Sequence, residues 1–167
     1  MISFMRVSAL RGWTVCLGLM CLVACGRAPI GPDPALLHGT WAQDGVAQTD
    51  PSLRVDNAVI TYRPDGTSLF QAVMTVTENN GIPERFSIEA DVAWTLEETI
   101  LTRTLQDVRI TPDISTPEAD ALARVLEDAY RASPPGRLIV EYVDPERLVL
   151  LDADFGTTLT YQRRASN

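Results

Sequence analysis

The side chains that could do chemistry are few and scattered. His38 is the single histidine, and no cysteine or carboxylate stands near it at ligand spacing. Metal binding needs several such ligands, so neither a metal site nor a catalytic base is expected there. Asp152-Ala153-Asp154-Phe155-Gly156 has the opening spacing of a calcium loop. It lacks the third oxygen ligand and the distant glutamate of such loops, and a hairpin turn accounts for it. Asp154-Phe155-Gly156 also spells a kinase tripeptide, without the glycine-rich loop or catalytic-loop motif that would give it meaning. Glu89 and Asp91 share the polar face of one predicted strand, where Arg103 or Arg109 on the next could pair with them. Exposed ion pairs of that kind are common and energetically minor. No Gly-x-Ser-x-Gly, His-Glu-x-x-His or phosphate-cradling glycine loop is present. A non-enzymatic protein without metal or cofactor is the expectation.

The three cysteines, Cys16, Cys21 and Cys25, take their chemistry from the segment that carries them. Met1 to Gly12 holds Arg6 and Arg11, and Trp13 to Ala24 is almost wholly apolar or small, the layout of a secretory signal. At about a dozen residues the apolar run is too short to span a bilayer, which takes roughly 20. The boundary Leu22-Val23-Ala24-Cys25 resembles the lipobox of bacterial lipoproteins. That resemblance implies diacylglycerol on Cys25, cleavage in front of it and acylation of the new amine. Cys16 and Cys21 follow the bulkier Val15 and Met20, so Cys25 is the preferred site. By the same resemblance, Gly26 lacks the aspartate that retains such proteins at the inner membrane, which implies outer-membrane delivery facing the periplasm. Several acyl chains, at ~0.8 kcal/mol per buried methylene, make a near-permanent anchor. Cleavage would leave Cys25 as the sole, modified cysteine, so no disulfide or free thiol is expected.

Cutting there leaves about 143 residues, enough for one domain with a sizeable core. Without Arg6 and Arg11, 12 basic side chains face 22 acidic ones, a net of about −10. Nucleic-acid binding rests on neutralising phosphates and is disfavoured. Gly26 to Pro34 has the proline and glycine density of a tether.

From Gly39 onward short alternating runs are separated by turn signals, the pattern of an antiparallel sheet. Gly39 to Gln43 opens the first strand, Ala47 to Asp56 reads as loop, and Ala58 to Arg63 as the second strand, closed by Pro64-Asp65-Gly66. Ser68, Phe70, Ala72, Met74 and Val76 line one face of the next, and Asn79-Asn80-Gly81 is a turn. Phe86, Ile88, Ala90, Val92, Trp94 and Leu96 then alternate with polar residues at a period of two. Thr99 to Thr111 continues as strand with looser alternation, Arg103 and Asp107 sharing a face with Leu101 and Leu105. Thr116 to Ala132 predicts an amphipathic helix with Thr116 as N-cap, Pro117 at its first position and a stripe of Leu122, Val125, Leu126, Ala129 and Tyr130. Arg137 to Val143, Arg147 to Asp152 and Thr157 to Arg163 complete the chain. The fold class expected is mainly β, an antiparallel meander or barrel of about eight strands, with one helix before the last three.

Gly39-Thr40-Trp41, the turn Tyr62 to Thr67, the strand through Trp94 and the terminal Tyr161-Gln162-Arg163-Arg164 together resemble the lipocalin-like domains of small bacterial envelope proteins. The resemblance implies that Trp41 closes one barrel end and that Arg163 or Arg164 packs over it. It departs from secreted lipocalins in lacking disulfide cysteines and in the placing of the helix. Phe70, Met74, Phe86, Trp94 and Tyr130 are the large apolar side chains that would line a cavity or equally fill a core.

The domain organisation expected is a signal peptide over 1–24, a lipidated tether over 25–37 and a lipocalin-like β-domain over 38–167. Its function would be to bind a small apolar ligand or a protein partner. The alternative is an accessory or assembly subunit of an envelope complex with no ligand.

Overall fold

The longest strand shows how alternation builds the sheet. In β5, Pro83–Glu97, Phe86, Ile88, Ala90, Val92 and Trp94 are buried while Ser87, Glu89 and Asp91 are exposed. The structure, a computed structural model, describes residues 31–45, 47–50, 52–77 and 82–165. The lipobox with Cys25 and the expected turn Asn79-Asn80-Gly81 lie outside the described residues.

A short 3-10 turn, Pro34–Leu37, leads into β1 (Gly39–Gln43), β2 (Ala47–Asp50), β3 (Leu53–Tyr62), β4 (Thr67–Thr77), β5 and β6 (Ile100–Pro112). The helix α1 (Pro117–Arg131) follows, and then β7 (Gly136–Val143), β8 (Arg147–Asp152) and β9 (Thr157–Arg163). Among the described residues nine strands make one antiparallel sheet, and the pairing of β1 with β3 closes it. Because β2 pairs only with β3, it stands outside the ring, and eight strands form the barrel. The expected closed meander with a helix before its last three strands is what the chain forms.

Two β-bulges account for the stretches whose pattern is loose. In β3 the register shifts between Asp56 and Val59, where Asn57 takes φ 51°, a left-handed conformation that asparagine tolerates. Leu53 and Val55 face inward before the bulge, and Ala58, Ile60 and Tyr62 after it. The segment expected to be loop, Ala47 to Asp56, is therefore β2 and the first part of β3. In β6 Leu105 sits opposite Val92 and Asp107 opposite Asp91, leaving Gln106 as the extra residue. Leu101, Arg103 and Leu105 face inward, and beyond the bulge Val108 and Ile110 do. Asp107 thus does not share a face with Arg103 as expected; it lies outside with Arg109.

β6 and β7 pair only from Ile100↔Ile139 to Arg103↔Gly136. Past that point α1 occupies the place of a neighbouring strand. Thr116 caps it, its hydroxyl accepting from Ala119 N at 3.1 Å, with Pro117 at the first position as expected. Its buried face is turned from the expected stripe: Ala119 and Ala123 are buried with Leu122, Leu126 and Tyr130 packed beside them, while Val125 is 63% exposed. Two alanines let the helix backbone come close to the sheet, which draws their side of the helix inward.

Two apolar clusters result. One fills the ring around Trp41, Tyr62, Trp94, Leu101, Leu148 and Tyr161. The other lies between α1 and the inner face of Met74, Phe86, Ile88, Val108 and Ile110. Leu37, assigned to the tether by the sequence, is fully buried in the first cluster. Ahead of it the chain crosses the same barrel end, where Gly31 lies so close to the Glu98 carbonyl in the β5–β6 turn that no side chain would fit.

Candidate functional site

The barrel has a fixed floor. Trp41 is fully buried, its indole nitrogen donating to Leu37 O at 2.7 Å. Arg163, brought opposite Trp41 by the β1–β9 register, sets its guanidinium 4.1 Å from the centre of the ring. The same guanidinium donates to the carbonyls of Leu36 (2.7 Å), His38 and Pro145, tying three segments together. Gly39 has φ +120°, and a side chain there would run into Arg163. The glycine, the tryptophan and Arg163, rather than Arg164, thus form one unit. His38 sets its ring edge-on to Trp94 at 5.9 Å, a packing role.

The opposite end is closed by α1, and the fastening is made by side chains. Glu127 accepts the backbone N–H of Ile110 at 2.8 Å, and Arg131 donates to Val108 O at 2.9 Å. These two bonds satisfy the β6 edge where no strand continues. Arg131 also lies 3.5 Å from both Glu127 and Asp107.

The five expected lining residues divide between the two clusters. Trp94 stands in the ring with its indole nitrogen bonded to Thr67 O at 3.0 Å. Met74 and Phe86 are fully buried beneath the helix with Tyr130 beside them, and Phe70 packs against both clusters. Clefts of about 370, 600 and 450 Å³ open on the outer surface, along such residues as Gln71, Glu89 and Arg109, Arg54 and Arg85, and Tyr142 and Arg147.

Arg103 is the residue whose surroundings the sequence misplaced. It does not pair with Glu89 or Asp91: it lies across from Trp94, faces inward and places its guanidinium 5.8 Å from the centre of the Phe70 ring. Arg109 does stand opposite Glu89, but Glu89 accepts instead from Gln71 at 3.1 Å. None of the ion pairs among the described residues includes Arg103. Two phenols share its interior. Tyr62, 1% exposed, touches Trp94 edge-on at 5.5 Å, and Tyr161 is 2% exposed. Burial pushes the Tyr62 hydroxyl up to about 12 from 10.0, with the Arg103 charge pulling the other way. Burial raises Tyr161 as well, again opposed by Arg103. Among the described residues the Tyr62 hydroxyl is the buried side-chain polar atom that no hydrogen bond of ordinary geometry reaches, Arg103 being the polar group that interacts with it. By contrast, the indole nitrogens of Trp41 and Trp94 and the Ser68 hydroxyl, which donates to Val92 O at 3.2 Å, are satisfied. A signal for Arg103 was present in the chain: an arginine between two leucines at a period of two.

An unpartnered buried hydroxyl costs about 1–3 kcal/mol. Tyr62→Phe is therefore expected to raise stability at pH 7 by about 1 kcal/mol in urea unfolding. A loss would show that the hydroxyl has a partner in the empty protein. The pH dependence has a definite sign. Between pH 10.0 and about 12 the folded chain keeps a proton that the unfolded chain releases. This contribution is whole below pH 10 and is lost as pH rises toward 12, amounting to ~3 kcal/mol. Tyr62→Phe should remove that part of the alkaline fall.

No protein family matches the chain, and no curated protein matches it. Among solved structures, a lipocalin-like protein from Bacteroides uniformis is similar over 77% of this chain and 99% of its own, at 15% identity and a TM-score of 0.41.

Proposed function

We propose that the protein is a lipoprotein held at the outer membrane through acylated Cys25, and that its barrel is a non-enzymatic container, facing the periplasm, for a small and largely apolar ligand. The address is supported by the charged-then-apolar N-terminus and by Leu22-Val23-Ala24-Cys25. One observation carries the binding reading. The floor is tied by Arg163 to three carbonyls, whereas the other end is closed by a separate element latched to the β6 edge through Glu127 and Arg131. A fixed floor, with a helix rather than a strand beside β6 at the other end, supports a container whose wall would open there. Native mass spectrometry of protein extracted from its own cells tests this. A co-purifying small molecule, lost when Glu127 and Arg131 are both replaced by alanine, is the expected result.

The assembly-subunit reading has its own support in Ile114 and Val125, 77% and 63% exposed at the start of the cover and along it. A co-purifying protein with no small molecule would replace the first reading by this one.

A further inference from the structure

On the outside of the barrel, two arginines from separate strands meet in one row of the sheet. Arg54 of β3, Thr75 of β4 and Arg85 of β5 are direct neighbours, Arg54↔Thr75 and Thr75↔Arg85. Met74 and Phe86 beside them face inward and are fully buried, so the row points outward. Two strand spacings set the arginine backbones ~10 Å apart, with the threonine hydroxyl between them. With Gln43, Asp56 and Asn57 they line the cleft of about 600 Å³. We infer that this cleft is an anion site, in which the Arg54 and Arg85 guanidiniums and the Thr75 hydroxyl hold one dianionic phosphoryl group.

Each guanidinium is held from one side. Asp56 approaches Arg54 at Nε, 2.8 Å away. Asp113, whose backbone N–H donates to Arg85 O and so continues the row past β6, approaches Arg85 at Nε, 3.7 Å away. Among the described residues no hydrogen bond reaches the terminal nitrogens of either arginine. Those nitrogens are the fork that meets paired oxygens of an oxyanion. One fork satisfies a carboxylate. A phosphate monoester, with three free oxygens and close to two charges, can engage both forks and still accept from Thr75.

Charge selects this cleft among the three. Its lining has two arginines against one carboxylate, whereas the cleft by Arg109 has one of each and the cleft by Tyr142 sets Arg147 against Glu141, Asp144 and Glu146. In a chain of net charge −8 that excess is local, which disfavours a long polyanion. No aromatic side chain lines the cleft for a base to stack on. The chemistry is that of a lone phosphoryl group and not of a nucleic acid.

The full chain in maltoside micelles and phosphate-free buffer can be titrated with glycerol 3-phosphate and with acetate while the arginine Nε–H resonances are followed by NMR. Glycerol 3-phosphate is expected to shift the Arg54 and Arg85 signals saturably at roughly millimolar concentration, with acetate weaker by about tenfold or more. Arg54→Lys and Arg85→Lys keep the charge and lose the fork, so each should weaken binding about tenfold. Both side chains are more than half exposed, and the melting temperature should not change. Arg109→Gln, which removes one charge from the adjoining cleft, should leave binding as it was. An equal loss for Arg109→Gln, or no loss for either lysine variant, would mean diffuse attraction and overturn the site. Acetate binding as tightly as glycerol 3-phosphate would overturn the phosphoryl assignment, and a saturable response to neither would overturn both. Vesicles containing phosphatidic acid, offered to the Cys25→Ser chain, identify the source of the group. Capture that requires Arg85 assigns it to a lipid headgroup; no capture, with glycerol 3-phosphate still bound, assigns it to a soluble ester.

Discussion

Trp41→Ala is expected to lower the free energy of unfolding by about 3–5 kcal/mol, the range for deleting a buried tryptophan. This is a large share of the 5–15 kcal/mol that holds a domain together, so a partly unfolded population at 37 °C is the second expectation. The effect is large because the ring is fully buried and its nitrogen anchors the Leu37 carbonyl. Removing it also leaves Arg163 stacked on nothing. Urea unfolding measures the loss, and a double-mutant cycle with Trp41→Leu and Arg163→Gln isolates the stacking term, expected at ~0.5–2 kcal/mol. A fall below 1 kcal/mol for Trp41→Ala would mean that the floor is not what closes the barrel.

Replacing Cys25 should have an all-or-none effect on location. With Cys25→Ser, acyl labelling is expected to vanish and the protein to leave the washed membrane fraction. The size of the change follows from chain arithmetic. Several acyl chains anchor nearly irreversibly, while nothing else in an acidic chain of net charge −8 favours anionic headgroups. Among the described residues no helix is long and apolar enough to cross a membrane. Labelling that persists would move the lipid to Cys16 or Cys21.

What could be read in the chain depended on how regular the backbone was. β5 needed only its period of two, and α1 announced its start through Thr116 and Pro117, because caps and alternation are local. β2 and the beginning of β3 were missed since Asn57 inserts a bulge that reverses which residues face inward. The same event at Gln106 put Asp107 outside and kept Arg103 inside, and so broke the expected partnership with Glu89 and Asp91. A bulge costs the sequence nothing visible: no glycine or proline marks Gln106. The inward setting of Arg103 was half legible, in its spacing between Leu101 and Leu105, but its nearness to Tyr62 was not, because only the pairing of distant strands brings the two together.

The close passage of Gly31 across the β5–β6 turn bears on where a ligand can be exchanged. From an anchor at Cys25 to Gly31 there are six residue-to-residue steps, a reach of about 20 Å when extended. With the lipid on Cys25, as proposed, so short a leash at the Trp41 end would set the floor toward the lipid and the α1 end toward the aqueous space. Cargo would then be traded with soluble partners or neighbouring surfaces, and not drawn straight from the bilayer below.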